Sequence, residues 1–295
     1  MNLALWVAAA TGAQVGAATV ASRYAVAEIG PVTLAMLRYA VGVLVLLPLV
    51  ARALRRERFT RPPLPDLAAM AALGIGQFGV LIALLNFGLR TLSAAEAALI
   101  FSLFPLLTMG LAAALGRERV TPALLLGVLV SIGGVGLSLV PRLQGWRASG
   151  LWGEAAVLAA AGTGAACSVL YRPYLRRYPV LPVSAFAMLA SVAALALLAL
   201  AEAWPTRLPA VSGTAWAAVA FIGLSSGLGY WGWLYALKHE SPTRVTVFLS
   251  LNPLAAGLLG WAFLGESPHA VTWAGVALIA AGLWLATRSP DNRRP

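Results

Sequence analysis

Residues 101–106 read Phe-Ser-Leu-Phe-Pro-Leu, and residues 249–254 read Leu-Ser-Leu-Asn-Pro-Leu. Ser102, Leu103, Pro105 and Leu106 thus return 148 positions later as Ser250, Leu251, Pro253 and Leu254. The same offset carries residues 86–93 onto 234–241, and Gly127, Val128 and Gly134 onto Gly275, Val276 and Gly282. Nearer the N-terminus the offset becomes 152. There Thr11-Gly12-Ala13 meets Thr163-Gly164-Ala165, and Ala35-Met36-Leu37 meets Ala187-Met188-Leu189. The chain therefore reads as two copies of one unit, residues 1–147 and 148–295.

Composition says what the unit is made of. The chain is 60% hydrophobic and 11% charged, with a mean hydropathy of +0.84. A membrane-spanning helix needs about 20 apolar residues. Such stretches fall near 3–21, 31–51, 67–89, 93–115, 121–140, 151–171, 180–203, 212–236, 241–264 and 269–287. They predict an all-α integral membrane protein with ten transmembrane helices, five in each copy. An odd number turns the second copy upside down, so the expected fold is a pair of inverted five-helix repeats. Many secondary transporters build alternating access in this way. No stretch remains for a soluble domain. The single Cys167 excludes an internal disulfide and reads as a small apolar filler. The first apolar run lacks a basic leader and is interrupted by Thr11 and Gln14, so it is expected to stay in the mature protein.

The net charge of +11 invites a nucleic-acid reading, but its distribution opposes one. With the N-terminus inside, fifteen of the 21 Lys and Arg fall on cytoplasmic segments, including Arg52, Arg55, Arg56, Arg58 and Arg61. Only Arg23, Arg90, Arg142, Arg147 and Arg207 fall outside, and Arg38 lies within a span. This is the positive-inside pattern, and it places both termini in the cytoplasm. The basic loops serve as anchors on anionic lipid. The Ala-rich composition, with Arg in place of Lys, points to a GC-rich bacterium and hence to an inner membrane.

Helices in lipid associate through small residues. Gly12 and Gly16 form one such pair, Gly223 and Gly227 another, and all four are expected at packing faces. These faces serve internal packing as readily as a dimer, and a monomer suffices. Pro105 and Pro253 are expected mid-helix at matching positions. Each removes a backbone N–H and frees a carbonyl near Phe101 or Leu249. In lipid that carbonyl must be satisfied by side chains, water or substrate. The two prolines are therefore candidate hinges.

The order of these features resembles the drug/metabolite transporter superfamily, in its ten-helix EamA-type branch. Pro31, Leu34, Ala35, Leu37 and Arg38 match the pattern of its second helix. Gly88, Leu89, Ser93-Ala94-Ala95, Pro105-Leu106, Gly116-Arg117-Glu118, Gly127 and Gly133-Gly134 follow its later pattern, echoed by Ser241, Asn252-Pro253-Leu254, Gly265-Glu266, Gly275 and Gly282. At Trp6-Val7 the chain departs from the family's usual Trp-Gly. The resemblance spans nearly the whole chain. It implies an inner-membrane carrier with a central cavity that moves small organic molecules, commonly outward. Amino-acid exporters of the YddG type, which favour aromatic and hydrophobic amino acids, are the branch it suggests.

The candidate substrate contacts follow from cost and position. Arg38 lies about 10 Å inside its span. A charged residue at mid-span costs ~2.5–3.5 kcal/mol, which calls for a partner. Its counterpart in the second copy is Ala190, so the repeat does not require it. The partner is a substrate carboxylate; the alternatives are an ion pair with Glu96 or a side chain that snorkels to the outer face. Tyr230 and Trp233 share a helix face with Ser226 and are expected to offer an aromatic wall. Gln14, Gln77, Ser102, Ser250 and Asn252 are expected to hydrogen-bond substrate or to stabilise the access states.

No Asp lies within a span, and His239 and His269 fall in loops. A proton-coupled carrier places a carboxylate or His in its pathway, so uniport down the substrate gradient is expected. A clustered Asp, Glu and His set, as an enzyme or metal site requires, is not found. The expectation is a non-enzymatic exporter of small hydrophobic or aromatic amino acids and related metabolites, without metal or cofactor. Its partners are a small-molecule substrate and the lipid bilayer. The alternative is a facilitator or antiporter for other polar metabolites or organic cations.

Overall fold

A computed structural model describes residues 3–56, 62–117, 121–144, 152–265 and 270–287. Arg58, Arg61, Glu118, Arg147, Glu266 and His269 lie outside them. Every regular element among the described residues is helical. The first half holds α1 (Leu3–Ala25), α2 (Pro31–Arg56), α3 (Leu64–Gly74), a π-helical segment (Ile75–Val80), α4 (Leu81–Gly88), α5 (Ala94–Phe101), α6 (Phe104–Ala114) and α7 (Pro122–Gln144). The second holds α8 (Trp152–Arg177), α9 (Val180–Ala199), the short α10 (Trp204–Arg207), α11 (Gly213–His239), α12 (Pro242–Val247), a 3-10 segment (Phe248–Leu251), α13 (Asn252–Leu264) and α14 (Ala270–Thr287).

Among the described residues, seven runs are long and apolar enough to cross a membrane: Leu3–Ala25, Pro31–Ala53, Leu64–Gly88, Ala94–Ala114, Trp152–Arg177, Val180–Glu202 and Gly213–His239. The 23 residues of Leu3–Ala25 extend about 35 Å at the α-helical rise, against a hydrocarbon core of about 30 Å. The spans expected near 121–140, 241–264 and 269–287 contain the shorter apolar helices Leu125–Gly134, Asn252–Leu264 and Trp273–Gly282.

Two runs expected to be continuous are broken. α5 ends at Phe101, Ser102 and Leu103 turn, and α6 begins at Phe104. In the second half α12 ends at Val247, a 3-10 segment follows, and α13 begins at Asn252. Pro105 and Pro253 were expected mid-helix, yet each lies in the first turn of a half-helix. The reason is local. A first-turn residue has no intrahelical use for its N–H, and proline's fixed φ suits that position. Both runs also start alike, since Ser93 and Ser241 accept from the backbone N–H groups of Glu96 and Arg244.

The third run departs in another way, through the π-helical segment Ile75–Val80. Such a widened turn changes the facing of every residue after it, and it is often found at functional sites. Two glycines let this segment lie close to the second half. A methyl on Gly76 would sit 2.8 Å from Cys167 Sγ, and one on Gly79 would sit 3.2 Å from Ser191 Oγ.

The packing exchanges the two copies. α7 packs on α14, α1 on α11, and α4 on α8. A methyl on Gly134 would lie 2.6 Å from the carbonyl oxygen of Gly275, and one on Gly282 would strike the carbonyl of Gly127. At the offset of 148, Gly127 corresponds to Gly275 and Gly134 to Gly282. Each member of one pair thus touches the counterpart of the other, which is the contact pattern a two-fold axis produces. The chain order of these contacts also makes α7 and α14 antiparallel.

Carboxylates from distant segments complete two helix starts, where partial positive charge favours an anion. Glu202 accepts from Val32 N at 3.1 Å, Thr33 N at 2.8 Å and Thr33 Oγ1 at 2.7 Å at the head of α2. Glu28 accepts from Ser212 N at 2.8 Å and Ser212 Oγ at 2.7 Å at the head of α11.

Candidate functional site

The elements converge on an interior cavity. α1 contributes Thr11, Gln14, Val15 and Thr19, and α2 contributes Arg38. Gln77 enters from the π-helical segment, and Leu81, Ile82 and Leu85 follow from α4. Phe101 and Phe104 come from either side of the first helix break. The second half adds Gly229, Tyr230 and Trp233 from α11 and Leu249 from the 3-10 segment. The cavity measures about 30 Å³, room for two or three water molecules.

Arg38 is the cation of this wall. It is 3% exposed, and its Nε donates to Ser226 Oγ at 2.7 Å. Its Cζ lies 5.7 Å from the ring centroid of Tyr39. Among the described residues no carboxylate pairs with Arg38, and its terminal nitrogens have no protein acceptor. Glu96, the alternative partner, instead closes the capping box of α5, where Ser93 N donates to its Oε2 at 2.9 Å.

Aromatic rings on and beside the cavity wall form two clusters. Tyr39, Phe78 and Tyr230 form one. Tyr39 OH donates to Tyr230 OH at 2.8 Å, and Phe78 meets Tyr230 edge-on at 4.7 Å between centroids. Phe101, Phe104 and Trp233 form the other, with Phe104 and Trp233 edge-on at 6.2 Å. Trp233 is 3% exposed, and its indole Nε1 is enclosed without a protein partner.

Of the residues singled out in the sequence, Gln14, Arg38, Gln77, Tyr230 and Trp233 meet on the cavity wall. Ser226 sits behind Arg38 and holds it. Gln14 donates from Nε2 to Ser225 Oγ at 3.0 Å, tying α1 to α11. Ser102 does not reach the cavity. Its hydroxyl turns back to Leu99 O at 2.6 Å, as a serine at a helix end readily does. Asn252 is 1% exposed, and neither atom of its side-chain amide has a protein partner. It lies at the start of α13, with its carbonyl against Gly16 of α1. The side chain of Ser250 lies outside the described residues.

The glycines hold close approaches. Gly12 faces the carbonyl of Phe248, Gly223 faces Val41, and Gly227 faces Gly42. Phe101 and Phe104 were not anticipated on the wall. Their signal was the proline break that they flank. Tyr39 and Phe78 adjoin Arg38 and Gln77 in sequence, but neighbours on a helix point to different sides, so adjacency alone did not place them.

A cavity shared by the two halves of an apolar helical chain defines a multi-pass membrane transporter. The chain belongs to the EamA-like transporter family, which it matches over residues 2–140 and again over residues 151–288. An uncharacterised transporter of Archaeoglobus fulgidus is 27% identical over 276 residues, covering 92% of this chain and 94% of that protein. A probable terminal-alkyne amino-acid exporter of Streptantibioticus cattleyicolor is 31% identical over 235 residues, covering 79% of this chain and 77% of that protein. A solved crystal structure superposes with a TM-score of 0.74 at 25% identity, over 97% of this chain and 95% of the other.

Proposed function

We propose that the protein exports small hydrophobic or aromatic amino acids across a bacterial inner membrane by alternating access, as a uniporter with both termini in the cytoplasm. The carrying observation is Arg38: buried on the cavity wall, held by Ser226, beside the Tyr39 ring, sharing the wall with other aromatic side chains and unpaired with any carboxylate among the described residues. A buried cation is costly unless a partner neutralises it. A substrate carboxylate does so when it binds, while the aromatic clusters receive an apolar side chain.

The helix arrangement supports the transport cycle. α7 and α14 occupy equivalent places in the two copies and run antiparallel through the Gly134–Gly275 and Gly282–Gly127 contacts. An axis relating antiparallel helices is perpendicular to them and so lies in the membrane plane. This supports reading the chain as ten spans in two inverted sets of five, residues 1–147 and 148–295. The paired breaks before Pro105 and Pro253 supply hinges on the two sides of the cavity. The resemblance to an amino-acid exporter of Streptantibioticus cattleyicolor agrees with this substrate class.

The test is efflux from proteoliposomes loaded with labelled phenylalanine, methionine or threonine, with and without a pH gradient. Saturable efflux independent of the gradient, and lost in Arg38→Ala, is the expected result. Unchanged efflux in Arg38→Ala would remove the residue from substrate recognition. No efflux of any amino acid from folded protein would refute the substrate class.

A further inference from the structure

An amino acid carries an ammonium group as well as a carboxylate, and Arg38 answers only the second. Gln77 is placed to answer the first. It enters the cavity from the π-helical segment rather than from regular helix. It is 4% exposed, its Oε1 is enclosed without a protein partner, and its Nε2 has no hydrogen bond among the described residues. The wall it shares also carries the apolar Leu81, Ile82 and Phe104. A buried amide left unpaired destabilises the fold, and a leucine would fill the same space without that penalty. Its retention on the wall calls for a ligand that pairs with it.

We propose that Gln77 recognises the ammonium of a zwitterionic α-amino acid and so sets selectivity for amino acids over the matching plain carboxylates. The inference rests on the reading of Arg38 as carboxylate partner. The chemistry favours a carboxamide here. An aspartate or glutamate on this wall would neutralise Arg38 and compete with the substrate's carboxylate. A carboxamide oxygen accepts from the ammonium and leaves Arg38 charged. An ammonium has three donors. Gln14 shares this wall, with its Nε2 occupied by Ser225 and its Oε1 packed against Gly229.

The experiment is counterflow of labelled phenylalanine in proteoliposomes, competed by phenylalanine, 3-phenylpropanoate or phenethylamine. Wild type should prefer phenylalanine over 3-phenylpropanoate by at least about tenfold, the effect of one hydrogen bond to a charged group. In Gln77→Leu the affinity for phenylalanine should fall about 10- to 100-fold while that for 3-phenylpropanoate holds or improves. The variant should melt no lower than wild type, because the lost amide has no partner in the protein. Gln77→Met should behave alike and guards against a fault particular to leucine.

An unchanged preference in both variants overturns the inference, as does an equal loss for both ligands or a melting temperature several degrees lower. Wild type that takes 3-phenylpropanoate as well as phenylalanine, with both lost in Arg38→Ala, overturns the role of Gln77 and leaves that of Arg38 standing. Wild type that takes neither overturns the amino-acid reading and this inference with it.

Discussion

Arg38 and Ser226 stand 188 residues apart in the chain and 2.7 Å apart in the structure, with Nε donating to Oγ. The bond occupies the Nε edge of the guanidinium and leaves its two terminal nitrogens without an acceptor among the described residues. Ser226→Ala should therefore free Arg38 to rotate. KM for phenylalanine should rise about tenfold with little change in maximal rate, because a hydrogen bond to a charged group contributes ~1.5–3 kcal/mol. Proteoliposome kinetics check this. In Arg38→Lys the added Ser226→Ala change should have less effect, since lysine has no Nε–H to be held.

The Gly134–Gly275 contact tests the pairing of the two halves. In Gly134→Ala the new methyl meets a backbone carbonyl 2.6 Å away, which cannot withdraw as a side chain would. Overpacking of this kind costs ~1–3 kcal/mol. Gly134→Ala and Gly282→Ala should each lower the melting temperature in detergent. Gly136→Ala, with nothing within 4 Å, serves as the neutral control on the same helix.

Restoring the missing N–H should stiffen the breaks. Pro105→Ala or Pro253→Ala allows α5 to join α6, or the 3-10 segment to join α13. If the breaks are hinges, maximal transport rate should fall about tenfold while KM stays within about threefold, the signature of a slowed conformational step. Hydrogen exchange across residues 101–105 should slow in Pro105→Ala as well.

Glu28 gives the pH dependence a sign. Its carboxyl is held below the ordinary value, first by the Ser212 backbone N–H and then by the Ser212 hydroxyl. A carboxylate lowered by folding contributes stability above its unfolded value, and the contribution is lost as pH falls through the lowered value. The melting temperature of wild type should exceed that of Glu28→Gln by a constant margin from pH 7 down to about 5. The margin should close below about pH 4.

Much of the architecture was legible in one dimension. Hydropathy marked the apolar runs because a bilayer demands an uninterrupted apolar length. The 148-residue offset marked the repeat because each copy must provide the same close approaches, and Gly127, Gly134, Gly275 and Gly282 are those approaches. The polarity of Arg38, Gln14 and Gln77 inside such runs marked them for the cavity, since lipid would not tolerate them.

Partner choice was not legible. Nothing local distinguishes Ser226, which holds Arg38, from Ser102, which bonds to its own helix. The Ser93-Ala94-Ala95-Glu96 spacing does carry the local signature of a capping box, and weighing Glu96 as the partner of Arg38 passed over it. The π-helical turn that carries Gln77 was also hidden, because hydropathy is blind to one extra residue in a turn. Sequence alone determined that this chain is a membrane protein of apolar helices repeated twice, since solvent exclusion and repetition are properties of order along the chain. Only the tertiary structure decided which polar groups face the cavity, since a hydrogen bond 2.7 Å long is set by how two helices cross.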